Sequence, residues 1–194
     1  MKNNIASLLV LFFLIYTVNG FAGVEEAKTA FYEGDYAKAL QEASPLADQG
    51  NAAAQHILGL MYVRGNGVPV DNAKALDLFK KAADQGNAAG QAALGVMYQS
   101  GRGVPVDYKQ AMGLFQKAAD QGNAAGQAGL GYMYEKGQGA PKDYKQAVDW
   151  YVKAAEQGDA TAKNNLRNMY MREQGEVPCK YTPHECVRRN SWDR

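Results

Sequence analysis

The sequence is short of the residues that carry chemistry. Its 194 residues include only two histidines, His56 and His184, and two cysteines, Cys179 and Cys186. Beyond residue 22 the serines are Ser44, Ser100 and Ser191, none followed by Lys at +3 and none inside a Gly-x-Ser-x-Gly elbow. That excludes the usual serine acyl-transfer signatures. Gly-x-Gly pairs are present, but no Gly-Lys-Ser/Thr follows them, so a phosphate-binding loop is excluded too. Charge of one sign is also missing. The formal net charge is +1, and loss of Lys2 with a cleaved leader leaves 20 basic against 20 acidic residues. No basic stripe marks a nucleic-acid binder. No cofactor and no metal site is expected. Cys179, His184 and Cys186 are three soft ligands, whereas a structural zinc takes four.

Long apolar runs are absent except at the start. Residues 5–18 form an almost unbroken apolar run of 14, with Lys2 the only charge in residues 1–22. This is short of the roughly 20 residues of a membrane span and suits the core of a signal peptide. Cleavage after Gly20 or after Ala22 fits the small residues there, and an uncleaved anchor is the alternative. Export to the periplasm or beyond the cell is therefore expected, with no membrane attachment after cleavage. In such a compartment Cys179 and Cys186 are expected to form a disulfide.

Glycine, by contrast, is plentiful: 21 residues, about 11% against a usual 7%. The excess comes from repetition. Gly50, Gly86, Gly122 and Gly158 recur at a fixed step of 36, and so do Asp35, Asp71, Asp107 and Asp143. A repeat of this length means stacked two-helix units. The boundaries read as a leader at 1–22, a helix hairpin at 23–47, repeats at 48–83, 84–119 and 120–155, a capping helix at 156–175 and a non-repeating tail at 176–194. About nine helices result.

Each repeat carries its own punctuation. Asn51, Asn87, Asn123 and Asp159 follow a glycine and are expected to cap the first helix, with Gly as the left-handed end of the helix before. Leu58, Leu94, Leu130 and Leu166 face inward, with Tyr62, Tyr98, Tyr134 and Tyr170 four residues on and Met61, Met97, Met133 and Met169 beside them. The second helix starts at Asp71, Asp107 or Asp143. Gln110 and Gln146 complete a capping-box pattern in two copies. Its apolar stripe is Ala75/Leu78/Phe79/Ala82 and the equivalents in each later copy. Gly59, Gly95 and Gly131 stand mid-helix, where each costs about 1 kcal/mol relative to Ala. Their recurrence predicts close helix approach, as do Gly90 and Gly126. Pro45 should kink or begin to end its helix.

The A-x-x-x-L-G-x-M-Y run, the G-x-G-V-P-x-D-Y loop, the K-A-x-x-x-F/W stretch and the closing K-A-A-x-Q-G resemble the Sel-one-like repeat (SLR), a relative of the tetratricopeptide repeat. The match covers three repeats, residues 48–155, and part of a fourth; the hairpin at 23–47 is more like an ordinary tetratricopeptide unit. The resemblance implies an all-α fold: an α/α solenoid, a right-handed superhelix of antiparallel helix pairs. It also implies a non-catalytic scaffold or adaptor, here taken as monomeric, that binds a protein or peptide. An inhibitor or immunity protein is one form of that. The alternative it suggests is a secreted protein that binds or hydrolyses β-lactams or cell-wall peptides. Against that, this chain has no cysteine pair within each repeat.

In SLR stacks the first helices line the concave side. Positions that vary between copies are free of the duty of holding the stack, and residues 56, 60, 63 and 64 share one helix face. On that basis the expected groove consists of His56, Leu60, Arg64, Val96, Gln99, Tyr132 and Glu135, an apolar-aromatic strip rimmed by charge. The alternative is a tolerant surface with Leu60 or Tyr132 partly buried.

Overall fold

The structure is a computed structural model and describes residues 23–171. The leader, the tail from 176 on and its expected disulfide between Cys179 and Cys186 lie outside the described residues, as do His184, Arg188, Arg189 and Trp192. The described residues hold nine helices and no strand. These are α1 (23–33), α2 (Tyr36–Asp48), α3 (Ala52–Arg64), α4 (Asn72–Asp84), α5 (Ala88–Ser100), α6 (Tyr108–Asp120), α7 (Ala124–Lys136), α8 (Tyr144–Glu156) and α9 (Ala160–Met171). They fall into two compact units, one up to Gly90 and one from Gln91 on.

The caps explain the boundaries. Asn51, Asn87 and Asn123 accept from the backbone N–H of Ala54, Gly90 and Gly126, and Asp159 accepts from that of Ala162. Asp35, Asp71, Asp107 and Asp143 cap the second helices in the same way. Gly65 and Gly137 end α3 and α7 with φ of +72° and +69°. Each takes the left-handed conformation that a side chain resists. Pro45 sits in the last turn of α2, which ends at Asp48.

One capping detail differs from expectation. In a capping box the third-position Gln returns to the backbone N–H of the cap. Here the N–H groups of Asp71, Asp107 and Asp143 donate at 3.0 Å to the carbonyls of Tyr62, Tyr98 and Tyr134. The loop thus ties back onto the first helix, and the Gln146 amide donates to the Asp143 carboxylate instead, at 2.9 Å. The Gln146 backbone N–H and then its side-chain amide hold that carboxyl below the usual range.

The core of the first unit joins Val24, Ala27, Ala30 and Phe31 of α1 to Ala39, Ala43 and Ala47 of α2 and to Ala54, Ile57, Leu58 and Met61 of α3. In the second unit Ala111, Phe115 and Ala119 of α6 pack with Leu130 and Met133 of α7, and Ala147, Val148, Tyr151 and Ala154 of α8 with Leu166 and Met169 of α9. The mid-helix glycines sit on aromatic rings. A Cβ on Gly59 would lie 2.5 Å from the Phe79 ring, on Gly95 2.8 Å from Phe115, and on Gly131 2.6 Å from Tyr151. Gly90 and Gly126 approach Ala82 and Ala118 as closely. The close approach predicted by their recurrence is therefore what the helices adopt.

A second repeated bond is polar. Gln85, Gln121 and Gln157, just past each second helix, donate to the buried Gln55, Gln91 and Gln127 at 2.9, 2.8 and 2.7 Å. Gln55 in turn donates to the Ala47 carbonyl. Each buried amide is satisfied, so its burial carries no orphan penalty.

Candidate functional site

The seven residues expected to form one groove divide into three groups. In the first unit His56 and Leu60 lie on one face of α3, two turns of which end at Arg64. They line a cleft of about 210 Å³ together with Val24, Lys28, Phe31 and Tyr32 of α1 and Asn87 and Ala89 at the start of α5. Its floor is apolar. Tyr32 stands 73% exposed beside it. Arg64 places its guanidinium 5.6 Å from the Phe31 ring centroid, at cation–π distance. Lys28 pairs with Glu25 at 3.6 Å.

His56 is half-buried, its ring 5.9 Å from that of Phe79. Burial, and then the nearby Arg64 charge, push its pKa down from 6.5 to about 4. The folded protein therefore holds it neutral. Below pH 6.5 the unfolded chain takes up a proton that the folded chain refuses. Stability from this site is full above 6.5, falls as pH drops, and levels off near 4. The loss is on the order of 3 kcal/mol, from the size of the shift. His56→Ala, which installs the residue of the other two copies, should lose correspondingly less stability between neutral pH and pH 4.5, read from urea midpoints. Equal losses in both proteins would contradict the assignment.

In the second unit Val96 and Tyr132 are exposed, at 46% and 37%. Lys136 holds its ammonium 5.5 Å over the Tyr132 ring. Gln99 is turned inward, its amide 3.4 Å from the Met133 sulfur. Glu135 departs from the expected rim altogether. It is buried, accepts from the Tyr151 hydroxyl at 2.9 Å and is paired with Lys136. The reason is the tyrosine. Tyr151 replaces the Phe79 and Phe115 of earlier copies and is wholly buried, so its hydroxyl needs a partner. Asn165 of α9 reaches the same hydroxyl. Burial, with Glu135 next, pushes that phenol proton far above its ordinary range.

Variation between copies thus has two causes. At position 63/99/135, Glu135 answers the Tyr151 hydroxyl, which the Phe79 and Phe115 of the earlier copies lack. Position 57/93/129 follows the preceding second helix. Ile57 shares a core with the small Ala43, while Gly129 leaves only 2.5 Å between its missing Cβ and the large Phe115 ring. The groove residues that repeat comparison missed are those of α1. Phe31 and Tyr32 belong to α1, which has no counterpart in register at the 36-residue step because the turn before Asp35 is shorter than the loops before Asp71, Asp107 and Asp143. The adjacent, unrepeated aromatic pair in the FYEGDY stretch is the signal that marks them.

Among the described residues no three His, Cys, Asp or Glu side chains converge as metal ligands. The Sel1 repeat family model matches residues 52–87, 88–123 and 124–159. That frame starts each repeat at the first helix. Among the solved structures that match are two that are at least a third identical to this chain over the aligned residues. A protective antigen of uropathogenic Escherichia coli with an SLR fold is 40% identical over 79% of this chain, with a TM-score of 0.66. A Sel1 repeat protein of Oxalobacter formigenes is 35% identical over 80%, also at 0.66. This chain spans 34% of the first and 63% of the second. Cysteine rich protein B of Helicobacter pylori is 26% identical over 66% of this chain and 92% of its own, at a TM-score of 0.51. Among curated proteins no significant match is found.

Proposed function

The chain belongs to the Sel1 repeat family, and from that premise we propose that it is an exported, non-catalytic binding protein that captures a protein or peptide segment in the cleft between α1 and α3. Sel1 repeats typically serve as protein–protein interaction scaffolds. The observation that carries the reading is the cleft itself: an apolar floor of Val24, Phe31, Ile57 and Leu60 beside the exposed Tyr32. At about 210 Å³ it is smaller than the roughly 300–1,000 Å³ of sites that enclose a drug-sized molecule. It suits one large side chain presented by a longer chain, the anchor-in-pocket arrangement of peptide recognition. Export is the reading that the apolar run at residues 5–18 supports. An inhibitor that holds an exported partner is one form of this role.

Selection of a random peptide library on the purified protein tests it. Enriched peptides should lose at least about tenfold in affinity to Leu60→Glu, because a carboxylate on the cleft floor opposes an apolar anchor by more than 1.4 kcal/mol. Far-ultraviolet dichroism should match wild type. Enriched peptides that bind the variant as well would place capture elsewhere.

A further inference from the structure

Resting on that reading, we infer that the cleft takes a peptide carrying two features together: one large apolar side chain between α1 and α3, and a carboxylate, from an Asp or Glu beside that anchor, on Arg64.

Charge complementarity points to this occupant, and the chain's own copies supply the comparison. In the third repeat the cation at the end of the first helix, Lys136, has its acid on the same helix, Glu135. In the first repeat the equivalent pair is Val63 and Arg64. Arg64 keeps the cation, and the acid has become valine. No carboxylate lies within ion-pair distance of Arg64 among the described residues. Arg64 is exposed, yet it is not loose, because it is laid over Phe31 at the cleft edge. A guanidinium fixed on an aromatic face keeps its donor fork for a planar anion.

The other charged groups around the cleft leave the same balance. From α1 come Glu25 and Lys28, which pair with each other, and the phenol of Tyr32. From α3 come His56 and Arg64. From α4 the neighbour of His56 is the Phe79 ring, and from the start of α5 come the uncharged Asn87 and Ala89. The acid across the cleft, Glu25, is taken up by Lys28, so Arg64, beside the cleft on the Phe31 ring, is the cation with no acid of its own.

The test uses fluorescein-labelled short peptides on the full mature chain. One set carries a single Trp, Phe or Leu with one Glu or Asp one to four residues away; the matched set has Gln or Asn in place of the acid. Fluorescence anisotropy should show the best acidic member binding about tenfold or more tighter than its amide, the size of one charge-assisted contact. Arg64→Gln should abolish the difference, and Arg64→Lys should restore part of it. Equal affinity for acid and amide, no binding by either set, or a preference that survives Arg64→Gln would each overturn the inference. Peptides from the library that need Leu60 but ignore charge would overturn it while leaving cleft capture intact.

Discussion

Gly129→Ile should destabilise the second unit by about 3 kcal/mol, the upper end of overpacking costs. The new Cβ alone would stand 2.5 Å from a Phe115 ring that is itself 1% exposed and has Gly95 against it. The ring has nowhere to go. Phe115→Ala should cost about 3–5 kcal/mol by itself, through lost transfer energy and the cavity. Installing both changes places in the second unit the pair that the first unit already uses, Ala43 with Ile57. The double variant should then be more stable than the sum of the single costs requires, by about 1.5 kcal/mol or more, a coupling typical of residues in contact. Urea unfolding of the four proteins measures it. Strict additivity would mean that the two positions do not fill one shared space.

The second large effect concerns the buried tyrosine. Tyr151→Phe removes the donor that faces Glu135 at 2.9 Å and leaves a buried carboxylate with Lys136 alone. Leaving such a group short of a partner costs about 1–3 kcal/mol. Glu135→Val alone should cost a similar amount, because the phenol then keeps only Asn165. Making both changes recreates the Val63/Phe79 combination and should return the protein to within about 1 kcal/mol of wild type, as apolar replacement of a buried polar pair often does. Three equally unstable variants would show that Glu135 has a duty other than the Tyr151 hydroxyl.

These two cases show what was legible in the sequence and what was not. The caps at Asn51, Asn123, Asp71 and Asp143 and the glycine-on-ring contacts at Gly59, Gly95 and Gly131 were readable because each depends on one residue type recurring at one step. Glu135 was not readable in that way. Its identity answers a change sixteen residues further on, Phe to Tyr, which a comparison of single positions treats as unrelated. The same holds for Ile57 and Gly129, whose sizes answer the preceding second helix. The paired glutamines were visible as repeats, but their 30-residue partnership needs the helices in place. For the cleft, sequence comparison found His56 and Leu60 on its α3 side, and Arg64 beside it. It passed over the α1 side because Phe31 and Tyr32 are unique to the hairpin.

The functional account stands on the cleft being where a partner is held. Photo-crosslinking in the native cell tests this most directly, with the reactive group at Leu60 and, on the exposed face of α4 in the same unit, at Lys80. The account predicts one protein trapped from position 60, absent from position 80, and competed by the acidic peptide of highest affinity. Indistinguishable labelling from the two positions, or a specific partner trapped from position 80 alone, would contradict it.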